Sequence, residues 1–107
     1  MDKSWKALER RIAKLFGCTR RGPIFRSPDG GTDDLTHAWY AVECKLLSRP
    51  TYSEMLNACR QAEGSGARLP MADGRSREPI AIVKKKGAPD GDALVIQRLS
   101  TFRAWHL

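Results

Sequence analysis

A chain of 107 residues, 41% of them hydrophobic and 29% charged, is long enough for one domain with a single core, and this composition excludes a disordered tail. Lysine and arginine total 19 against 12 aspartates and glutamates, and the net charge of +7 favours a polyanionic partner such as nucleic acid. The sequence contains no apolar run near the roughly 20 residues of a membrane span, so no membrane segment is expected.

The cysteines and the first residues indicate the compartment. Cys18, Cys44 and Cys59 are an odd number, lie far apart and form no CxxC pair, which suits free thiols in a reducing cytoplasm. The opening stretch "MDKSWKALERR" mixes charges with apolar residues, unlike a signal peptide. We therefore expect one cytoplasmic domain over residues 1–107.

The charges are unevenly distributed along the chain. Residues 1–27 carry eight basic and two acidic side chains, residues 28–67 carry three and six, and residues 68–86 carry six and two. Basic flanks around an acidic centre favour a polyanion held through its phosphates, with a cation between it and the carboxylates. A merely solvated basic surface is the alternative.

In chain order, the first predicted element is an amphipathic helix over about Lys3 to Phe16, ended by Gly17. A turn, a short strand around Ile24 to Ser27 and a glycine-rich loop follow. "DDLTH" and "WYAVECKLL" read as two further strands.

The rest of the chain contains a second helix and two more strands. The helix "TYSEMLNACRQAEG" is predicted to begin near Thr51 or Ser53 and to end at Gly64, and a polar loop follows it. "PIAIVKK" and "DALVIQRL" read as buried strands, and "STFRAWHL" as a final helical turn. These elements predict an α/β fold in which helices flank a mixed β-sheet of about five strands.

The central strand carries the most informative residues. Alternation puts Val42 and Cys44 on one face, and Glu43 and Lys45 on the other, about 7 Å apart along the backbone. A structural ion pair between Glu43 and Lys45 is the simplest interpretation of this spacing.

Asp33 and Asp34 allow a second interpretation. A tight connection would bring an aspartate beside Glu43, and two converging carboxylates repel unless a proton or a cation intervenes. Oxygen ligands favour Mg²⁺ or Mn²⁺, which polarise a phosphodiester and acidify a bound water. A lysine at the same edge could orient or deprotonate that water, or stabilise the developing charge. The constellation therefore predicts a phosphodiesterase centre.

Asp34 followed by Glu43-Cys44-Lys45 resembles the D…E-x-K signature of the PD-(D/E)xK nuclease superfamily. Glu9 on the first helix, Arg26-Ser27 before the glycine-rich loop and Gln61-Ala62 on the second helix are similar to the Holliday-junction resolvase branch, including small phage-type resolvases. The likeness covers about residues 5–64, and residues 79–97 only as two expected strands. It implies a restriction-endonuclease-like nuclease core and a phage, prophage or bacterial source.

The resemblance also implies roles for individual residues. Asp34 and Glu43 would bind the metal, with the backbone carbonyl of Cys44 as a further ligand, and Lys45 would be the catalytic lysine. Glu9 would face the second metal position or its waters. Gln61 would contact phosphate or water beside the site. Resolvases of this branch pair as homodimers that make two symmetric cuts in a four-way DNA junction.

This chain departs from the family pattern in one respect that affects the site. Asp33 stands where the family usually has proline, so either aspartate could be the ligand. Asp34 is favoured because a hydrophobic residue, Leu35, follows it as in the family. The chain is also short for an added junction-recognition element.

The remaining polar and aromatic residues receive simpler interpretations. His37 lies between the aspartates and Glu43, but a lone strand histidine is more often structural than catalytic. No cysteine or histidine pair has zinc-ligand spacing. Trp5 and Trp105 are expected in the core or at a dimer contact, and base stacking is an alternative that no other feature of the sequence supports. The expected phosphate contacts are basic residues of the flanks: Arg20, Arg21, Arg26, Arg68, Arg75, Arg77, Lys84 and Lys85.

These observations lead to an expected Mg²⁺-dependent DNA endonuclease, with Mn²⁺ able to substitute, that resolves Holliday junctions as a homodimer. A repair or restriction-type nuclease or nickase acting on other DNA is one alternative. A non-catalytic DNA-binding module, whose Glu43 and Lys45 are structural, is another.

Overall fold

The computed structural model describes residues 4–21 and 34–107. The predicted strand at Ile24–Ser27, the glycine-rich loop, Asp33 and Arg26 lie outside these residues. The helices are α1 (Ser4–Leu15), α2 (Tyr52–Arg68) and α3 (Leu99–His106), the strands are β1 (Tyr40–Leu47), β2 (Glu78–Lys85) and β3 (Leu94–Ile96), and one 3₁₀ turn spans Asp90–Asp92.

The three strands form one mixed sheet with β2 in the centre. β1 pairs with β2 in parallel, from Tyr40 beside Glu78 to Leu47 beside Lys85, and β3 pairs with β2 antiparallel. The described part of the chain thus confirms a mixed α/β fold with three strands, where about five were predicted. Of the predicted strand "DDLTH", residues 34–37 are described, and they form one isolated bridge, Leu35 to Arg20, where a continuous strand was predicted.

One face of the sheet packs against α1. Leu8 and Ile12 of the helix are buried against Val42, Cys44 and other core residues of the strands. These residues follow the period of 3.6 on the helix and of two on the strand, as the sequence predicted. The alternation therefore determines that Val42 and Cys44 face α1 and that Glu43 and Lys45 face the opposite side of the sheet.

The opposite face packs against α2, through Ala58 and Cys59. Thr51 caps this helix by accepting a hydrogen bond from the backbone N–H of Glu54, as expected of a residue at its start. The predicted end at Gly64 is wrong, because the helix continues to Arg68. Gly66 is buried there, and its lack of a side chain lets the backbone approach the carbonyl of Arg77; an ideal Cβ would lie 2.6 Å from that oxygen. None of the helices in the described residues has the length and apolar character to cross a membrane.

Buried polar residues fix the start of β2. Arg77 is 4% exposed and donates to the carbonyls of Leu69 (2.6 Å), His37 (3.0 Å) and Tyr40 (3.1 Å). It therefore joins the end of α2 to the start of β1.

The next residue, Glu78, is a buried carboxylate shared by several elements. It accepts hydrogen bonds from Trp39 Nε1 (3.0 Å) and Gln97 Nε2 (2.8 Å), and its Oε2 lies 2.6 Å from His106 Nε2. Burial alone would raise the pKa of Glu78, but the bonds from Trp39, His106 and Gln97 outweigh it and lower that pKa. The charged form of Glu78 thus fastens α3 to the sheet.

Candidate nuclease site

The candidate site begins at the outer edge of β1, the edge that does not face β2. The backbone N–H of Asp34 donates to the carbonyl of Val42 (2.9 Å), and the N–H of Cys44 donates to Asp34 Oδ2 (2.7 Å). The carbonyl of Asp34 accepts from the N–H of Arg21 (2.8 Å). Asp34 is therefore held on β1 by its backbone and its side chain together.

Glu43 and Lys45 lie on the α2 side of the same strand, as alternation predicted. The Glu43 side chain is largely buried, with the residue 8% exposed, and Lys45 Nζ lies 3.4 Å from Glu43 Oε1. The lysine is half-buried and reaches solvent. A carboxylate, Glu43, thus comes directly before Cys44 in the strand, and an ammonium group, Lys45, directly after it.

Glu9 projects from α1 and is 5% exposed. Its Oε1 accepts from Arg20 Nε at 2.5 Å, which makes a largely buried ion pair. The family resemblance implied a metal position for Glu9, and the basic flank implied a phosphate contact for Arg20, so neither predicted this ion pair. Residues 11 positions apart across a turn give no pattern from which it could be inferred.

The carboxylates interact at Asp34. Burial is the main reason that the pKa of Asp34 is raised from its ordinary value of 3.8 to about 8, and the negative charge of Glu43 adds to it. Glu9 raises this pKa further, whereas the Cys44 N–H and Lys45 oppose the rise. Asp34 is therefore close enough to Glu43, Glu9 and Lys45 to feel their charges. Without a cation, burial and the neighbouring carboxylates therefore favour a proton on Asp34.

The chain offers oxygen ligands here. Val42 and Cys44 direct their backbone groups to the same edge, because residues two apart in a strand do so, and the Cys44 carbonyl therefore faces the side on which Asp34 lies. The Cys44 thiol packs in the core instead, and burial raises its pKa far above the usual range, so it is no thiolate ligand.

The oxygen donors at this edge are of the kind that magnesium prefers. Residues 4–21 and 34–107 contain no group of three or more His, Cys, Asp or Glu side chains that could hold a metal ion. Magnesium, however, is commonly held by only one or two carboxylates together with water and substrate phosphate. Asp34 and Glu43 would supply the two carboxylates for such an ion, and the Cys44 carbonyl a third protein oxygen.

Two other predicted residues have different surroundings. Gln61 is exposed on α2, and the hydrogen bond described for it uses its backbone carbonyl, which accepts from Ser65 Oγ (3.0 Å). His37 Nδ1 accepts from the backbone N–H groups of Trp39 (3.1 Å) and Tyr40 (3.0 Å). His37 therefore closes the turn into β1, which supports the structural interpretation of that histidine. The role of Gln61 stays a prediction.

The predicted phosphate-binding residues divide by environment. Arg77 is buried, and its guanidinium binds backbone carbonyls. Lys84 Nζ lies 2.7 Å from Asp90, and its side chain is only 12% exposed. Neither residue is therefore well placed to contact DNA phosphates. Asp90 also accepts from Arg11 Nε (2.6 Å), a contact between α1 and the 3₁₀ turn that the sequence analysis missed.

The other basic residues remain on the surface. Lys85 and Arg68 are exposed, and Arg75 forms an exposed ion pair with Asp73 (2.7 Å), of the kind that contributes little to stability. Arg21 donates from Nη2 to the carbonyl of Leu35 (3.1 Å) and so supports the segment that carries Asp34. Arg26 lies outside the described residues.

Comparisons with models of protein families, with curated proteins and with solved structures found no match to this chain. The resemblance to the PD-(D/E)xK nucleases therefore depends on the motif residues alone.

Proposed function

We propose that this protein is a Mg²⁺-dependent DNA endonuclease of the PD-(D/E)xK class, and that its substrate is a four-way DNA junction. The observation that carries the proposal is the position of Asp34, held by the Cys44 N–H between Glu43 and Lys45 at the edge of one strand. The proposal extends to the fold: the three strands and the Leu35 bridge would be the centre of a nuclease core of about five strands.

In this proposal the site residues divide into metal ligands, a catalytic lysine and a supporting carboxylate. Asp34, Glu43 and the Cys44 carbonyl would hold the metal, which when bound polarises the phosphodiester and acidifies a water. Lys45 would orient or deprotonate the attacking water, or stabilise negative charge developing on the phosphate, as its exposure beside Glu43 permits. Glu9 would support the site through its effect on Asp34.

DNA would be held mainly through its backbone. The net charge of +7 and the exposed Arg68, Arg75 and Lys85 favour phosphate contacts that read shape and not sequence. Binding should therefore weaken steeply with salt. A homodimer with two such sites, as the family resemblance implies, would cut both strands of a junction symmetrically.

The test uses a labelled synthetic four-way junction and a matched linear duplex, each with Mg²⁺ and with EDTA. Paired nicks in the junction alone, absent in EDTA and in Glu43→Gln and Lys45→Ala, are the expected result. Asp92→Asn, an exposed acidic residue on the 3₁₀ turn, is the matched control and should cut like the wild type. Unchanged cleavage in Glu43→Gln would refute the assignment, and cleavage of both substrates would leave a nuclease or nickase without junction selectivity.

A non-catalytic DNA-binding module is the second candidate. The pairs Glu43–Lys45 and Glu9–Arg20 favour it, because each neutralises a carboxylate without a metal. Tight junction binding that does not respond to Mg²⁺, with no cleavage by the wild type, would support this module and exclude the nuclease.

A further inference from the structure

Trp5 lies on the surface of α1, one turn before Glu9. A position in the core was one expectation for Trp5, but the residue is 38% exposed; the expected dimer contact stays a prediction. Residues four apart on a helix share a face, so the indole and the Glu9 carboxylate are neighbours on α1. A large aromatic ring is thus exposed beside the candidate site.

Two cations flank this ring. Lys6 Nζ lies 5.4 Å and Arg20 Cζ 5.6 Å from the centroid of the indole. Both distances are within the range of cation–π attraction. An exposed aromatic ring with cations close to it is an arrangement by which proteins bind unpaired nucleotides, since a base stacks on the ring, displacing a cation from that face, and the cations hold its phosphates.

Arg20 connects the ring to the candidate site. Its guanidinium reaches both Trp5 and Glu9, and its backbone forms the bridge to Leu35, the residue after Asp34. A base lying on Trp5 would therefore place its phosphate close to the candidate metal ligands.

We propose that Trp5, with Lys6 and Arg20 at its ring, is a stacking site for one unpaired nucleobase of the DNA substrate. A base inside a duplex is stacked on its neighbours and is not available to the indole. This site therefore favours DNA with an unstacked base, as at a branch point, over continuous duplex. The inference rests on the proposed function for its choice of DNA, but base stacking itself requires no metal.

The experiment measures equilibrium binding in EDTA by fluorescence anisotropy, with labelled oligothymidine of about twelve nucleotides and a duplex of the same length. Trp5→Leu should weaken binding of the single strand at least about fivefold, the lower end of the effect of removing one stacked base partner, and should change duplex binding less than about twofold. Tyr52→Leu removes a more exposed ring on α2 and is the matched control, expected to bind like the wild type. Equal losses for single strand and duplex, equal losses in both variants, or no loss would each overturn the proposal.

If Trp5→Leu does not fold, a second measurement, the quenching of tryptophan fluorescence, tests the stacking site. Saturating oligothymidine should quench tryptophan emission of the wild type, and Trp5→Phe should remove most of this quenching. Trp39→Phe is the control and should keep it, because Trp39 is equally exposed and has Arg75 over its ring but packs against Trp105. Quenching that persists in Trp5→Phe would overturn the stacking site. Cleavage in Mg²⁺ is a separate readout. If the wild type cleaves DNA but the Trp5 variants bind and quench like the wild type, the stacking site is refuted and the nuclease is not. If the Trp5 variants lose single-strand binding and quenching but the wild type does not cleave, the nuclease is refuted and the stacking site is not.

Discussion

Asp34 Oδ2 accepts a hydrogen bond from the backbone N–H of Cys44 at 2.7 Å, in the position where a neighbouring strand would offer a carbonyl. A carboxylate thus takes part in the ladder of β1. The strand fixes this carboxylate within one residue of Glu43, and burial keeps water from screening the two. A charge-dense edge of this kind costs stability unless a proton or a cation is present.

The stability of the metal-free protein should depend on the proton of Asp34. Its folded pKa of about 8 lies above the ordinary 3.8, so the folded state binds the proton more tightly, and stability falls as the pH rises through this interval. We expect Tm to fall by at least about 4 °C between about pH 5 and about pH 8, which corresponds to roughly 1 kcal/mol in a domain of this size. Thermal melts in EDTA measure it. Asp34→Asn, which keeps an oxygen for the Cys44 N–H, should show a flatter profile, and a wild-type profile as flat would contradict the buried, protonated Asp34.

Magnesium should stabilise the protein and should do so more strongly at alkaline pH, because the metal must displace the proton of Asp34. We expect a rise in Tm with Mg²⁺ in the wild type and in Asp92→Asn, larger at about pH 8.5 than at about pH 6. Glu43→Gln should lose most of this rise. A rise of the same size in Glu43→Gln would remove Glu43 from the metal ligands.

Gly66 and Gly64 form a matched pair on α2. A Cβ at Gly66 would lie 2.6 Å from the Arg77 carbonyl, so Gly66→Ala must push the backbone of α2 away from β2 and should destabilise by about 1–3 kcal/mol. A Cβ at Gly64 meets only the movable guanidinium of Arg68 at 3.3 Å, so Gly64→Ala should stabilise by up to about 1 kcal/mol through helix propensity. Urea unfolding measures both. Equal effects at the two positions would contradict the close approach at Gly66.

Arg77 should be essential for stability and not for DNA contact. Arg77→Lys cannot supply the planar fork that reaches three carbonyls, so it should cost about 2 kcal/mol or more in the free energy of unfolding. Arg75→Lys, two positions earlier and exposed, is the control and should stay within about 0.5 kcal/mol. A loss of DNA affinity in Arg77→Lys without loss of stability would restore this residue to the DNA surface.

The sequence predicted what periodicity and local spacing determine. The alternation of Val42 and Cys44 against Glu43 and Lys45, the course of α1 and the cap at Thr51 all depend on neighbours within a few residues. The end of α2 was misplaced because a glycine usually stops a helix, whereas the close approach at Gly66 depends on β2, a distant segment.

Contacts between distant polar residues could not be predicted from pattern. Arg77 and Glu78 occur in a stretch of polar residues that reads as an exposed loop, and only the fold shows them buried. The pair of Glu9 with Arg20 is equally invisible in the sequence. Composition suggests that charges lie at the surface, and these residues depart from that tendency because their partners come from other elements.

The parallel pairing of β1 with β2 has a consequence for how the chain folds. β2 and β3 are joined by a short connection and can pair early. β1 and β2 are separated by the whole of α2, so Tyr40 can pair with Glu78 only when this long intervening segment closes into a loop. Closing that longer loop costs more entropy and slows the step. We therefore expect β1 to dock onto β2 late, after the pairing of β2 with β3 and after the short-range contact of Asp34 with Cys44, so that Asp34 and Glu43 come together before the sheet is complete.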